Sequence, residues 1–191
     1  SVDLVVLTHY HEDHANGMAK LMDRVQVRAV AMPEPMPSDL DVFEEIEAAA
    51  DANGTKLIYV TENVDIALGE ARLSVFAPLG AYSENERGLS LLCSKGSYDI
   101  LITGDMQAET EAVLLYSTAI ADIETLVVGH HGSKYSTSDE LLDTTKPETA
   151  VISVGYNSYG HPTEEVLERL RDRNIQVFRT DISGNVTIDA G

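Results

Sequence analysis

Histidine and carboxylate side chains are concentrated in one short segment near the start of the chain. Three of the six histidines, His9, His11 and His14, lie there together with Asp13. Imidazole nitrogens and carboxylate oxygens are ligands that zinc, manganese and iron(II) accept in proteins. In an extended segment residues two apart share a face, so His9 and His11 can reach one ion. Where the chain then turns into a helix, Asp13 and His14 can reach a second ion nearby.

Two later groups of candidate ligands each follow an apolar segment. Asp105 follows the run Leu101–Gly104, and the pair His130–His131 follows the run Leu126–Gly129. We expect both groups to lie at the ends of strands, where loops bring metal ligands together. The residues alone leave open which of the two adjacent histidines binds a metal. The other would hydrogen-bond a ligand or meet the substrate.

Two further side chains have types suited to catalysis. His161 lies between an apolar segment and a helix, where it can protonate a leaving group or position a substrate oxygen. The alternative is a structural histidine that caps the loop. Lys134 stands beside Ser133 in a run of hydroxyl residues that can donate to an anionic group, although those hydroxyls also suit the start of a helix.

The elements that must position these residues alternate between short apolar segments and amphipathic stretches. Hydrophobic periodicity predicts strands at residues 4–7, 25–31, 57–60, 71–77, 89–94, 98–103, 125–128, 149–154, 176–179 and 185–188. It predicts helices at residues 17–24, 38–54, 107–118, 138–145 and 162–173. This mixture is typical of an α/β domain of sheets covered by helices. The expected hairpin over residues 89–103 argues against a purely parallel sheet.

Length and composition set outer limits on the protein. The 191 residues, 43% of them hydrophobic, are expected to form a single domain over residues 1–191 with a proper core. The chain opens without Met and almost directly in a strand, so we interpret it as N-terminally incomplete. No apolar run approaches the roughly 18 residues that span a bilayer. The net charge of −19 opposes strong non-specific binding of nucleic acid, because phosphate contacts need Lys and Arg.

The run Leu7–His14 resembles the H-x-H-x-D-H signature of the metallo-β-lactamase-fold hydrolases. The resemblance implies an αββα sandwich, here without its N-terminal strands, and two divalent cations, Zn or Mn, whose bound hydroxide attacks the substrate. The pattern around the later histidine pair favours His131 as the ligand. The metal-binding residues implied are His9, His11, Asp13, His14, Asp105, His130 and His131, and those expected to act in catalysis are Asp13, His161 and Lys134.

Three later runs are similar to the hydrolase domain at the C-terminal end of ComEC and its soluble relatives. They are Gly129–Ser138, Gly155–Pro162 and Phe178–Asp181. This similarity implies a phosphodiesterase or nuclease, with single-stranded DNA as a substrate. Degradation of one DNA strand during uptake is the role proposed for full-length ComEC. If the parent is such a membrane competence protein, it would carry the membrane segments, and this soluble domain would be extracytoplasmic.

One departure from the family pattern keeps two alternatives open. No histidine stands between His14 and His130, where many members have a further ligand. The corresponding stretch is Asn85–Ser90, with Gly88 where the ComEC-like branch usually has Ser. A first metal would then have a thinner shell, completed by water. The alternatives are hydrolysis of a carboxylic ester, thioester or lactam on the same fold, and a non-catalytic binding domain with a degenerate metal site.

Overall fold

The computed structural model describes residues 1–80, 83 and 85–190. Within these residues the strands are β1 (Val2–Val6), β2 (Val27–Met32), β3 (Lys56–Tyr59), β4 (Val64–Leu68), β5 (Ala71–Phe76), β6 (Ser90–Lys95), β7 (Tyr98–Ile102), β8 (Thr125–Val127), β9 (Thr149–Ile152) and β10 (Gln176–Arg179). The helices are α1 (Glu12–Ala15), α2 (Met18–Arg24), α3 (Leu40–Asn53), α4 (Ala108–Ser117), α5 (Asp139–Thr145), α6 (Glu164–Asp172) and α7 (Thr180–Ser183). None of these helices is long and apolar enough to cross a membrane.

The chain divides into two compact units. The N-terminal unit comprises Ser1–Val64 and Phe76–Leu89, and the C-terminal unit comprises Asp65–Val75 and the chain from Ser90 onward. The expectation of one domain over the whole length stays a prediction.

The N-terminal unit is built on a parallel sheet of three strands in the order β1-β2-β3. Val30, at the centre of β2, is fully buried and lies in register with Val5 on one side and Leu57 on the other. Buried residues of α2 and α3, among them Met22 and Ile46, pack in the same core. Apolar side chains at helical spacing thus cover a strand whose residues are apolar on both faces.

The C-terminal unit contains a mixed sheet of seven strands in the order β10-β9-β8-β7-β6-β5-β4. β6 and β7 form the expected antiparallel hairpin, whereas β7, β8, β9 and β10 pair in parallel. Leu101, Leu126 and Ala150 are fully buried at the centres of three adjacent parallel strands. Parallel strands end on the same side of a sheet, so the loops after β7, β8 and β9 leave from one edge.

Four elements differ from those that the sequence predicts. β4, α1 and α7 are additional, and the strand expected at 185–188 is wrong, because those residues have no regular secondary structure. The chain forms α7 after β10 instead. Thr180 anchors its start, since the hydroxyl donates to Val154 O at 2.7 Å and accepts from Val154 N at 2.8 Å. A period of two suggests a strand, but a strand persists only where a partner lies beside it.

A buried carboxylate holds the loop at residues 133–138, which follows the histidine pair. Glu111 of α4 is fully buried and accepts hydrogen bonds from the backbone N–H groups of Thr137 at 2.6 Å and Ser138 at 2.8 Å. Burial raises the pKa of Glu111, while the bonds from Ser138 and Thr137 and the charge of Arg169 oppose that rise. The carboxylate therefore satisfies backbone N–H groups in a loop that lies outside any strand.

Arg169 of α6 holds the carbonyl groups of the same loop. Its guanidinium donates to the backbone oxygens of Lys134 at 2.7 Å, Ser136 at 2.9 Å and Thr137 at 2.5 Å. The planar fork of an arginine suits several carbonyl acceptors at once, because its donors are fixed relative to one another. The Glu111 carboxylate thus binds backbone N–H groups of the loop, and the Arg169 guanidinium binds its carbonyl groups.

We expect the substitution Glu111→Gln to lower the free energy of unfolding by about 1–3 kcal/mol, because the amide NH2 would face a buried N–H donor. Urea unfolding of the purified variant measures this change. Glu109→Gln is the matched control, since Glu109 is exposed in the first turn of the same helix. A loss of stability no larger than that of the control would show that the buried carboxylate does not hold the loop.

Candidate metal centre

His9 and His11 of the N-terminal unit bring their ring nitrogens together, as the spacing predicts. His9 is 2% exposed, and its Nε2 atom lies 3.1 Å from Nδ1 of His11. Ligand atoms on a tetrahedral zinc ion lie roughly 3.3 Å apart, given zinc–nitrogen bonds of about 2.0–2.1 Å. The two nitrogens are therefore spaced as two ligands of one ion would be. The hydroxyl of Thr8 lies 3.1 Å from the other nitrogen, Nδ1 of His9, and fixes the ring.

Asp13 and His14 reach their positions because the chain turns into α1 directly after the histidine pair. His11 is the N-cap residue, and its carbonyl accepts from the backbone N–H groups of His14 and Ala15, each at 2.9 Å. A ligand atom of Asp13 lies within 4.8 Å of one of His14. The His14 ring lies 4.1 Å from the His9 ring, centroid to centroid. The N-terminal unit thus holds all four predicted ligands of the first motif in one cluster.

Tyr10 anchors this loop on the side away from the histidines. It is 5% exposed, its hydroxyl donates to Pro33 O at 2.7 Å, and its ring packs edge-on against Phe43 at 6.3 Å. Burial raises the pKa of the Tyr10 hydroxyl, so the group stays a neutral donor. Alternate residues of an extended segment point to opposite sides, so a buried Tyr10 directs His9 and His11 to the same opposite side.

The segment that replaces the missing histidine packs directly on the same loop. Leu89 N donates to Thr8 O at 2.8 Å. A Cβ atom on Gly88 would lie 3.3 Å from Thr8 O and 3.7 Å from Cβ of His9, so the first contact would be tight. Glycine at this position therefore lets the backbone approach the histidine loop closely, where a side chain would push against it.

Asp105 of the C-terminal unit faces both histidines of the later pair. It is 3% exposed and follows β7 through Gly104, whose φ of 61° turns the chain. Its Oδ2 atom lies 3.8 Å from Nε2 of His130, and its Oδ1 atom lies 4.0 Å from Nε2 of His131. These separations exceed direct hydrogen bonds and suit ligands arranged around a cation. A buried carboxylate is stabilised when a cation balances its charge.

A backbone carbonyl sets the orientation of His131. Nδ1 of His131 lies 2.7 Å from the oxygen of Ser153, which follows β9. A carbonyl only accepts, so this ring nitrogen carries the proton, and Nε2 presents its lone pair on the side of Asp105. This carbonyl–imidazole pair is the usual support of a metal-binding histidine. The geometry thus favours His131 as the ligand, in agreement with the family pattern, while His130 also directs Nε2 to Asp105.

The backbone at the histidine pair adopts a conformation that L residues rarely take. His130 and His131 have φ values of 49° and 54°, which costs roughly 1–2 kcal/mol per residue. His130 N donates to Gly104 O at 3.0 Å, which ties this turn to the loop that carries Asp105. A Cβ atom on Gly132 would lie 2.5 Å from Cβ of Pro162, so only glycine fits there. Strain of this kind is concentrated at functional sites, where surrounding contacts enforce it.

His161 lies beside the histidine pair, as its place after β9 predicts. Its ring centroid is 5.6 Å from that of His130. Asn157 fixes its backbone, since the side chain accepts from His161 N at 3.0 Å and donates to His161 O at 2.8 Å. Burial lowers the pKa of His161, the neighbouring imidazole of His131 lowers it further, and Asp105 raises it. Within the C-terminal unit, His161 therefore adjoins the ligand cluster without being one of its members.

Lys134 lies at the surface of the loop at residues 133–138. Its ammonium nitrogen is 5.1 Å from the ring centroid of Tyr135, a cation–π contact. Sequence reasoning gave no role to Thr8, Ser153 or Asn157, although each orients a candidate site residue. Adjacency to His9 is a weak signal for Thr8. A supporting carbonyl such as that of Ser153 has no side-chain signature at all.

Comparison with known proteins identifies the fold. The family model of the metallo-beta-lactamase superfamily matches residues 1–156. ComE operon protein 3 of Bacillus subtilis (strain 168) is 30% identical over 188 residues, which cover 97% of this chain and 24% of that protein. Competence protein ComA of Neisseria gonorrhoeae is 39% identical over 116 residues, 56% of this chain and 16% of that protein. The chain thus spans a quarter or less of the length of these relatives.

A solved structure agrees with these matches. Tm1679, a metal-dependent hydrolase of the beta-lactamase superfamily, superposes with a TM-score of 0.62 at 15% identity, covering 96% of this chain and 78% of that one. The resemblance seen at Leu7–His14 and the mixed α/β fold class are therefore confirmed. The chain belongs to the metallo-β-lactamase superfamily and has its metal-dependent hydrolase fold, with competence proteins among its relatives.

Proposed function

We propose that this protein hydrolyses phosphodiester bonds with two divalent cations, zinc or manganese, held by histidine and aspartate side chains. Bound cations of this kind lower the pKa of water and stabilise negative charge on phosphoryl oxygens. The observation that carries the proposal is that each cluster already has ligand geometry, with two His nitrogens 3.1 Å apart in one and a buried carboxylate facing two imidazoles in the other. The proposed ligands are His9, His11, Asp13, His14, Asp105, His131 and His130.

The distribution of charge supports an anionic substrate. The chain has 32 Asp and Glu residues, yet residues 128–138 and 153–163 contain none. These two segments form the loops after β8 and β9, at the edge where Asp105 and the histidines lie. Lys134 is the one Lys or Arg in them. Carboxylates in these loops would repel an anionic phosphodiester but not a neutral ester, thioester or lactam, so the pattern favours the phosphodiester.

The residues of the chain take separate parts in the proposed reaction. The carbonyl of Ser153 holds His131 in one orientation, so that little reorganisation accompanies binding. Lys134 attracts a non-bridging phosphate oxygen from its exposed position on the loop. His161 donates a proton to the leaving oxygen, because its ring adjoins His130 and its backbone is fixed. Asp13 completes the ligand set of the second cation.

The similarity to competence proteins supports the same substrate class. Both relatives are several times longer than this chain, so a role for this chain in the same process is an analogy. We propose a nuclease role in DNA uptake on this basis. The charge of −19 is compatible with a strand presented by another part of a larger protein, and less so with tight binding of duplex DNA.

The proposal predicts that His11→Ala and Asp105→Ala each impair catalysis, because each removes a proposed metal ligand. We expect each substitution to lower kcat/KM for bis(p-nitrophenyl) phosphate about 100-fold or more. Turnover with added Mn²⁺ or Zn²⁺, together with metal content per chain, measures this. Glu12→Gln is the control, since Glu12 is exposed in the same loop.

Two outcomes would contradict this proposal. Hydrolysis of nitrocefin or a thioester without hydrolysis of the phosphodiester would place the protein in the carbonyl-cleaving class. A wild-type protein that turns over none of these substrates and retains less than about half an ion per chain after reconstitution would be a non-catalytic domain.

The part assigned to His161 predicts a dependence on the leaving group. We expect His161→Ala to slow hydrolysis of the dinucleotide thymidylyl-thymidine about 100-fold, because its alkoxide leaving group needs a proton. Hydrolysis of thymidine 5′-(p-nitrophenyl phosphate) should fall only a few-fold, since nitrophenolate leaves without one. Comparison of kcat for the two substrates measures the difference. Equal losses would show that His161 positions the substrate and transfers no proton.

A further inference from the structure

Exposed tyrosines are gathered on the two carboxylate-free loops of the C-terminal unit. Tyr135 is 61% exposed, Tyr159 is 82% exposed, and Tyr156 is fully exposed. Three of the eight tyrosines of the chain thus lie within these 22 residues. Large aromatic side chains in water indicate a binding surface when they are clustered, because burying them on a ligand is favourable.

Tyr159 is the tyrosine that the structure connects to the candidate centre. Its ring stacks on that of His161 with centroids 6.0 Å apart and planes inclined by 29°. His161 in turn lies 5.6 Å from His130. Tyr159 is therefore two ring contacts from a candidate ligand, while most of its own surface faces solvent.

The backbone of Tyr159 is fixed by the same residue that fixes His161. The side-chain oxygen of Asn157 accepts from Tyr159 N at 3.1 Å and from His161 N at 3.0 Å. One Asn157 side chain therefore fixes the backbone of the exposed tyrosine relative to that of the histidine. A side chain on a fixed backbone loses less conformational entropy when a flat ligand packs on it.

We propose that Tyr159 is a base-stacking residue that binds an unpaired nucleobase next to the scissile phosphodiester. This inference rests on the proposed function and names the substrate as a single-stranded nucleic acid. Only an unpaired base presents its face to an aromatic ring, and such stacking tolerates every base. Neither loop carries an Asp or Glu that would repel the phosphate beside that base.

The test compares two strands of equal length and charge, an oligothymidylate and the same backbone with abasic tetrahydrofuran units. For the full chain loaded with Mn²⁺, we expect Tyr159→Ala to raise KM for the oligothymidylate about tenfold and to leave KM for the abasic strand unchanged. Tyr159→Phe should restore the wild-type value, because the ring does the stacking. Tyr116→Ala is the control, since Tyr116 is 95% exposed on α4, outside these loops.

Several results would overturn the role of Tyr159. Equal rises in KM for both strands would mean that the substitution disturbs His161 instead of a stacked base. A wild-type protein that hydrolyses the two strands equally well would recognise the phosphodiester alone and not the base. An effect of Tyr116→Ala as large as that of Tyr159→Ala would point to non-specific contact.

A binding measurement separates failure of this inference from failure of the proposed function. Fluorescence anisotropy of labelled oligothymidylate in the presence of EDTA measures binding without turnover. If the wild type cleaves neither strand with any cation, the phosphodiesterase assignment fails, yet tighter binding of the oligothymidylate that Tyr159→Ala abolishes would still support stacking. Equal binding of both strands by wild type and variant would overturn the stacking role, whatever the protein hydrolyses.

Discussion

The parallel pairing of β7, β8 and β9 is the constraint on which the ligand cluster of the C-terminal unit depends. Leu101 pairs with Leu126, and Leu126 with Ala150, in strands whose centres are fully buried. Burial of these apolar residues holds the strands in register, because a slip would expose them. Parallel strands end together, so Asp105, the histidine pair and the loop of His161 emerge at one edge. The chemistry is thus located by apolar packing several residues away from it.

The histidine pair shows how that scaffold supports an unfavourable local conformation. His130 and His131 both have left-handed backbones, which isolated chains would rarely adopt. Hydrogen bonds on either side counteract this tendency. His130 N donates to Gly104 O, and Glu111 and Arg169 bind backbone groups of the loop that follows the turn. The result is a pair of imidazoles that already face Asp105. A site organised before binding loses less free energy when ligand or substrate arrives.

Charge is distributed in a way that the net value conceals. A formal charge of −19 describes a polyanion, and taken alone it disfavours a nucleic-acid substrate. The loops after β8 and β9 nevertheless carry Lys134 and no carboxylate. Bound cations would make this edge more positive still. The total charge therefore does not describe the charge of the loops that carry the histidine pair and His161.

Local patterns in the sequence determined the positions of most strands and helices, the cluster from His9 to His14, and the family. They could do so because periodicity and ligand spacing are properties of neighbouring residues. Tertiary structure alone decided that β4 joins the sheet, that residues 185–188 form no strand, and that Ser153, Asn157 and Glu111 support the site. It also supplied the argument for His131 over its neighbour. These features depend on contacts between residues far apart in the chain, often through backbone atoms that every residue shares, and no local pattern encodes such contacts.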